Sequence, residues 1–171
     1  MRYFIGNWKM YGSPNSIKII HKINSFVNSD KNNKKYRTII ATPYTLLESF
    51  NKTFLNKKTQ IAAQNCFHKD YYSSNTGAVS AYMIKQLGIK NIIIGHSDNR
   101  AEGDNDKTLK LKLNFAKNYN LKIIYCIGEN LKEKKKGDTF KVLKKQILSV
   151  IDKNSYPNKL IVAYEPIWSI G

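Results

Sequence analysis

The chain has 171 residues, 42% of them hydrophobic, and carries 29 Lys plus Arg against 12 Asp plus Glu, a formal net charge of +17. This length and apolar content predict one globular domain, residues 1–171, and exclude an intrinsically disordered chain. No apolar run approaches the roughly 18 residues of a membrane span. The amino-terminal residues, MRYFIGNWKMYGS, lack the apolar core and cleavage site of a signal peptide.

The excess of positive charge is the first candidate functional feature, because nucleic-acid phosphates are bound by such cations. Lysine exceeds arginine, however, and Lys, Asn, Ile and Tyr are abundant together, as in KNNKKY and KNYNLKIIY. Codons rich in A and T encode all four residues. We therefore attribute most of the excess to genome composition and expect solvated lysine faces, with neither a nucleic acid nor a membrane as partner.

The cysteine content points to a reducing compartment. The two cysteines, Cys66 and Cys126, are far apart in apolar stretches, a pattern that predicts neither a disulfide framework nor a metal site. We therefore expect a cytoplasmic protein.

Short apolar runs recur along the chain and predict six strands. In chain order they are YFIGNW from Tyr3, RTIIATP from Arg37, TQIAAQN from Thr59, NIIIGH from Asn91, KIIYCIG from Lys122 and KLIVAYE from Lys159. Each run is hydrophobic on both faces, which is typical of a strand buried within a parallel sheet.

Stretches with helical periodicity separate the strands. SIKIIHKINSFVN, after the first strand, places Ile17, Ile20, Ile23 and Phe26 on one apolar stripe with lysines opposite. TLKLKLNFAKN and FKVLKKQILSVI have the same character, and Gly88 in KQLGIKN predicts a helix C-cap. Strands that alternate with helices predict βαβ units and an α/β fold.

Two arrangements of these units compete, an open doubly wound sheet and a closed barrel. The turn after the first strand, NWKMYGS, has one glycine and no G-x-G-x-x-G fingerprint, which disfavours the doubly wound nucleotide-binding fold. Polar residues instead follow many of the strands: Asn7, Lys9, Gln64, Asn65, His96, Glu129 and Glu165. In a (β/α)₈ barrel the chemistry collects at that end, so the pattern predicts a TIM (β/α)₈ barrel.

Taken singly, these polar residues are weak evidence for catalysis. Glu165 could equally be a structural carboxylate satisfied by backbone donors. A strand-end histidine such as His96 is more often a satisfied polar group than a catalyst. Lys9 could simply extend its ammonium into solvent, and Cys126 is most simply a small core residue.

Taken together, five motifs in chain order resemble one family. They are GNWKM at the first strand, AAQN at the third, GHSDNR at the fourth, CIGE at the fifth and AYEPIWSIG at the sixth. This series is similar to that of the triosephosphate isomerases from Tyr3 to Gly171. The resemblance implies a glycolytic and gluconeogenic enzyme that interconverts dihydroxyacetone phosphate and D-glyceraldehyde 3-phosphate through an enediolate, without a metal or an organic cofactor.

The resemblance also implies a role for each matching residue. Glu165 matches the base, His96 the neutral imidazole that polarises the carbonyl, and Lys9 and Asn7 the groups that bind substrate and stabilise the enediolate oxygens. Asp98, Ser97 and Cys126 match supporting positions. The lid segment comprises Pro166, Ile167, Trp168, Ser169, Ile170 and Gly171. The resemblance implies that it closes over the substrate phosphate and that the Gly171 backbone N–H donates a hydrogen bond to that phosphate.

Some positions depart from the family pattern. GHSDNR has Asp98 and Asn99 where glutamate and arginine are usual, and the shorter Asp98 is expected to contact Lys9 at longer range or through a water. Asp104 is the expected stand-in for a glutamate. In the third loop Ala78 replaces an acidic residue, and the resemblance implies that Thr76 of this loop contacts the other subunit of a homodimer.

The chain provides six of the eight barrel strands and ends in the loop after the sixth. By resemblance, a serine loop after the seventh strand and a Gly-Gly turn after the eighth would complete the phosphate site. An unclosed sheet also leaves unpaired edges. We therefore expect residues 1–171 to be a fragment that is marginally stable and nearly inactive alone.

Two other readings remain open at this point. One is a catalytically silent truncated pseudoenzyme, or a barrel that a partner chain completes. The other is a basic nucleic-acid-binding protein, whose affinity would fall steeply with salt. The spread of lysines over most helices counts against the second of these.

Overall fold

The computed structural model describes residues 1–55, 57–152 and 160–170, and all six predicted strands are confirmed. The strands are β1 Arg2–Asn7, β2 Tyr36–Thr42, β3 Thr59–Ala63, β4 Asn91–Ile94, β5 Lys122–Ile127 and β6 Leu160–Tyr164. The helices are α1 Ile17–Ser29, α2 Tyr44–Phe54, α3 Ala81–Gln86, α4 Ser97–Ala101, α5 Asp106–Asn118, α6 Leu131–Lys135 and α7 Thr139–Leu148. Within this described part of the chain, no helix has both the length and the apolar character needed to cross a membrane.

The strands form one parallel sheet in the order β1-β2-β3-β4-β5-β6, each paired with the next along the chain. A doubly wound sheet would reverse its strand order at a switch point, and this one does not. Among the described residues β1 and β6 each pair with a single neighbour. The sheet is therefore six strands of an incomplete TIM barrel, as the sequence predicts.

The two faces of the sheet bury different sets of side chains because strand residues alternate in direction. The outer face packs beneath helices and contributes Ile40, Ile61, Ile92 and Ile123 to a large core. The inner face forms a second cluster made only of strand residues: Tyr3, Ile5, Ile39, Ala41, Ala62, Ile93, Ile124, Cys126, Ile161 and Ala163. Burial on both faces explains why the strands read as continuous apolar runs.

One residue of the apolar stripe predicted for helix α1 is wrong. Ile20 is fully buried, and Ile17 and Ile23 pack against the core, but Phe26 is 70% exposed. At about 100° per residue, Val27, seven residues after Ile20, lies on the same helix face as Ile20, whereas Phe26, six residues after it, does not. Val27 therefore occupies the core position that the sequence pattern assigned to Phe26.

The predicted cap at Gly88 is confirmed. This glycine follows α3 with a φ of +77°, in the left-handed region that favours glycine. Its N–H donates to the carbonyl of Lys85 at 2.9 Å, which ends the helix and returns the chain towards β4.

Candidate functional site

A cleft of about 670 Å³ opens at the carboxyl ends of the strands. Its lining includes Asn7 at the end of β1, Lys9, Gln64 and His96 in the segments that follow β1, β3 and β4, and Asp98 in α4. The parallel sheet brings these residues to one edge, as the barrel interpretation of the sequence requires.

The turn after β1 holds Lys9 in an unusual backbone conformation. Lys9 has a φ of +51°, which costs a residue with a side chain about 1–3 kcal/mol unless its surroundings hold it there. The Lys9 N–H donates to Asn7 Oδ1 at 3.0 Å. The Gln64 side-chain nitrogen donates to Asn7 Oδ1 at 3.1 Å, to the Lys9 carbonyl at 2.8 Å and to the Ala41 carbonyl at 3.2 Å. Sequence reasoning noted Gln64 at a strand end but gave it no role in holding this turn.

The expected contact between Lys9 and Asp98 is present. Lys9 Nζ lies 3.5 Å from Asp98 Oδ2, and both side chains are partly exposed. At 3.5 Å this ion pair is longer than a charge-assisted hydrogen bond. The lengthening relative to a glutamate stays a prediction.

His96 is buried, with 5% of its surface exposed, and it caps the amino end of α4. Its Nδ1 accepts the N–H of Asp98 at 3.2 Å, so the neutral ring carries its proton on Nε2. Nε2 faces the Glu165 carboxylate, with Oε2 at 3.6 Å. The preceding Gly95 has a φ of +80°, and a Cβ there would lie 2.9 Å from the Tyr125 ring, so this position requires glycine.

Glu165 follows β6 and is anchored by its backbone, whose N–H donates to the Ile127 carbonyl at 2.8 Å. Its Oε2 is buried and has no hydrogen-bond partner among the described residues. Ser97 and Cys126 line a narrow pocket with it. Burial, and after it the neighbouring Glu165 carboxylate, raise the pKa of the Cys126 thiol, so this cysteine stays a neutral core residue.

The lid segment is joined to the β5–α6 loop by a buried carboxylate. Glu129 is 1% exposed, and its Oε1 accepts hydrogen bonds from Trp168 Nε1 at 3.0 Å, Tyr164 Oη at 3.1 Å and Thr139 Oγ1 at 3.3 Å. Burial raises the pKa of the Glu129 carboxyl, but these hydrogen bonds and one from its own backbone outweigh it and lower the pKa overall. The Lys134 ammonium lies 3.1 Å from the centre of the Trp168 ring, a cation–π contact.

The backbone of the lid segment begins in a 3₁₀ turn at Ile167–Ser169. The Ile167 N–H donates to the Glu129 carbonyl at 3.0 Å, and the Ser169 N–H donates to the Pro166 carbonyl at 2.9 Å. Gly171, the predicted phosphate donor, lies outside the described residues. Sequence reasoning identified the segment but assigned no role to Glu129 or Lys134, because neither belongs to it in the sequence.

A buried ion pair supports the cleft from behind. Lys112 Nζ lies 2.7 Å from both carboxylate oxygens of Asp104 and donates to Asn65 Oδ1 at 3.0 Å. The Lys112 side chain is 5% exposed and that of Asp104 10%. The pair therefore links α5 to the loop after α4 and to the loop after β3.

Thr76 lies apart from this cleft. It is exposed in the connection between β3 and α3, near a turn in which the Ala78 N–H donates to the Asn75 carbonyl at 3.2 Å. Its predicted contact with a second subunit stays a prediction. Within residues 1–55, 57–152 and 160–170, no group of three or more His, Cys, Asp or Glu side chains is arranged to hold a metal ion.

Comparison with known proteins identifies related sequences over almost the whole chain. The family model described as triosephosphate isomerase matches residues 2–171. The triosephosphate isomerase of Alkaliphilus oremlandii is 34% identical over 170 residues, which cover 97% of this chain and 66% of that protein. That of Buchnera aphidicola subsp. Schizaphis graminum is 40% identical over 172 residues, covering 96% of this chain and 65% of that protein.

The fold is also similar to a solved structure. The crystal structure of triosephosphate isomerase from Bartonella henselae superposes with a TM-score of 0.88 at 30% sequence identity, covering 98% of this chain and 69% of that one. The chain thus spans about two-thirds of the length of the relatives that it matches.

Proposed function

The chain belongs to the triosephosphate isomerase family, and from this premise we propose that its protein interconverts dihydroxyacetone phosphate and D-glyceraldehyde 3-phosphate. The observation that carries the proposal is the distance of 3.6 Å between His96 Nε2 and Glu165 Oε2, which belong to the segments that follow β4 and β6. A proton-bearing imidazole nitrogen and a carboxylate oxygen without a partner thus lie side by side. This pairing suits the transfer of a proton between two adjacent carbons of one substrate.

In this proposal Glu165 is the base. It removes a proton from the carbon beside the substrate carbonyl and returns it to the neighbouring carbon after the enediolate has formed. The free Oε2 of Glu165 supports this role, because a base needs a lone pair that no protein donor occupies. His96 Nε2–H polarises the carbonyl and moves protons between the two substrate oxygens.

Lys9 and Asn7 bind the substrate and stabilise the negative charge that develops on the enediolate oxygens. Their positions in one cleft with His96 support this assignment. The rigid turn that Gln64 holds would keep the Lys9 ammonium preorganised, so that little reorganisation is needed when charge appears. Asp98, Ser97 and Cys126 support the neighbouring groups without touching the substrate.

The lid segment closes over the phosphate and excludes water from the intermediate. Pro166 and the 3₁₀ turn at Ile167–Ser169 support a hinged loop, and Glu129 and Lys134 contact the Trp168 side chain and hold it against the β5–α6 loop. Gly171 would donate its backbone N–H to the phosphate. The reaction as proposed uses no metal ion and no organic cofactor.

Two further parts of the proposal concern the state of the protein in the cell. We propose a homodimer in which the loop that carries Thr76 contacts the second subunit, and the exposure of Thr76 supports this. We also propose that this single barrel domain acts in the cytoplasm, in glycolysis and gluconeogenesis.

The experiment is a coupled spectrophotometric assay of the purified protein, expressed from its own gene, in both reaction directions. Turnover of both triose phosphates that persists in the presence of EDTA would support the proposal. Protein that is folded by circular dichroism and binds a triose phosphate analogue without turnover would contradict it and favour a catalytically silent relative.

A further inference from the structure

Helix α7 contacts the end of β5 through the side chain of one glutamine. The Gly128 N–H donates to Gln146 Oε1 at 2.9 Å, and Gln146 Nε2 donates to the Gly128 carbonyl at 2.9 Å. Gly128 directly follows β5 and is buried. A single carboxamide therefore satisfies both backbone groups of this residue, as a neighbouring strand would do.

The strand that pairs with β5 on this side has already ended. β4 stops at Ile94. Beyond that point the Cys126 carbonyl accepts a hydrogen bond from Arg100 Nη2 at 3.1 Å, and Gln146 pairs with Gly128. Side chains of α4 and α7 thus continue the hydrogen bonding of β4 as far as the edge of the catalytic cleft.

Gly128 is in close contact with the backbone of the catalytic base. A Cβ added to Gly128 would overlap the Glu165 carbonyl, so this position requires glycine. The residues on either side of Gly128 hold the same segment. The Ile127 carbonyl accepts the Glu165 N–H at 2.8 Å, and the carbonyl of Glu129 accepts the N–H of Ile167 at 3.0 Å. The position of Gly128 therefore decides where the segment that carries the base lies.

The same network reaches the segment that carries the catalytic histidine. Arg100 Nε donates to the carbonyl of Gly95, the residue before His96, at 2.8 Å. Arg100 Nη2 also donates to Tyr125 Oη at 3.1 Å, and Tyr125 Oη donates to the Gln146 carbonyl at 2.7 Å. Side chains behind the cleft thus connect the backbone on both sides of the catalytic pair.

We propose that Gln146 is a positioning residue for the isomerase reaction. By fixing Gly128 against the backbone of Glu165, it sets the place of the carboxylate relative to the substrate carbon. Gln146 lies on the outer helix α7, so it acts through the backbone and does not touch the substrate. The inference rests on the function proposed above, with Glu165 as the base.

The variant Gln146→Met keeps a side chain of similar length and removes both of these hydrogen bonds. We expect kcat to fall by about 10–100-fold, because a displacement of about 1 Å at the reacting groups can cost about 10²-fold. The Ile127 carbonyl still holds the Glu165 N–H, which limits the displacement. KM should change by less than about 3-fold, because Gln64 holds the turn that carries Lys9 separately.

Gln86→Met is the matched control. It makes the same chemical change at an exposed position on α3, and it should leave kcat and KM within about 2-fold of the parent. Both variants are assayed in both reaction directions, in the active protein expressed from its own gene. Circular dichroism gives the folded fraction of each variant, so that kcat is expressed per folded molecule.

A kinetic isotope effect separates a misplaced base from a loss of folded protein. Deuterium on the carbon from which Glu165 takes the proton slows that step. When the base is misplaced, proton removal limits turnover more strongly, so the isotope effect on kcat should be larger in Gln146→Met than in the parent. Partial unfolding lowers the number of active molecules and leaves the isotope effect unchanged.

Nuclear magnetic resonance tests the contact independently of turnover. In Gln146→Met the amide signals of Gly128 and Glu165 and the ring nitrogens of His96 should shift, whereas Gln86→Met should leave them in place. A parent protein that turns over neither triose phosphate would contradict the proposed isomerase function. These signals would then still decide whether Gln146 positions Glu165.

Three outcomes would overturn the proposal. The first is a folded Gln146→Met variant with the kcat of the parent. The second is a rise in KM at unchanged kcat, which would assign Gln146 to substrate binding. The third is a set of signal changes confined to α7, with the signals of Gly128 and Glu165 unmoved.

Discussion

Breaking the buried ion pair between Lys112 and Asp104 should cost more stability than breaking the exposed ion pair on the same helix. Replacing Lys112 by Met leaves the Asp104 carboxylate buried without a counter-charge and removes the donor from Asn65. Breaking one partner of such a pair typically costs about 3–5 kcal/mol. The exposure of only 5% and 10% for the two side chains, with both contacts at 2.7 Å, places this pair in that class.

Urea unfolding, monitored by circular dichroism, measures the loss of stability in the Lys112→Met variant. With a denaturant slope of about 2 kcal/mol per M, a loss of about 4 kcal/mol lowers the midpoint by about 2 M. The double variant Asp104→Leu/Lys112→Met removes both charges together, so only the lost hydrogen bond to Asn65 and some packing remain. It should be more stable than either single variant by at least about 2 kcal/mol.

Lys110 on the same helix provides the control. Its ammonium lies 3.5 Å from Asp152, with side chains 46% and 65% exposed, and exposed pairs contribute about 0–1 kcal/mol. Equal midpoint shifts for Lys110→Met and Lys112→Met would refute the reasoning. A double variant no more stable than the single variants would refute it as well.

Three further predictions concern the catalytic cleft and the lid segment of the active protein. Glu165→Gln removes the base and should lower kcat by about 10²–10⁴-fold with KM changed little, and a kcat near that of the parent would show that another group is the base. Lys9→Met should lower kcat/KM by at least about 10²-fold, because the lost charge acts on both the bound substrate and the enediolate; an unchanged kcat/KM would remove Lys9 from the mechanism. Folding lowers the pKa of Glu129, so at a pH above the ordinary glutamate pKa the hydrogen bonds to its carboxylate stabilise the folded protein. This stabilisation is lost when the pH falls below the lowered pKa and the carboxylate is protonated. In a Trp8→Phe background the fluorescence of Trp168 should therefore show an acid transition below about pH 4.3, absent from Glu129→Gln, and an identical transition in both proteins would contradict this linkage.

Local patterns in the sequence were sufficient for the strands and for the strand-end positions of His96 and Glu165, whereas the roles expected for these residues came from the resemblance of five motifs to one family. Each strand of this sheet is buried on both faces, so an apolar run is visible without knowledge of its neighbours. His96 and Glu165 directly follow such runs, and parallel strands bring their carboxyl ends to one edge whatever the details of packing. The sequence alone therefore determined the fold class and the order of the strands, and it placed His96 and Glu165 at strand ends.

Contacts between distant residues were decided only by the tertiary structure. The hydrogen bonds of Glu129 with Trp168, of Gln64 with Lys9 and of Lys112 with Asp104 each depend on strand register and on the placement of loops. Phe26 is a further example within one helix, because the packing of α1 against the sheet decides that Val27 is buried and the adjacent Phe26 is exposed. Hydrophobic periodicity is a local property of the chain, whereas pairing and long-range charge depend on distances that folding creates.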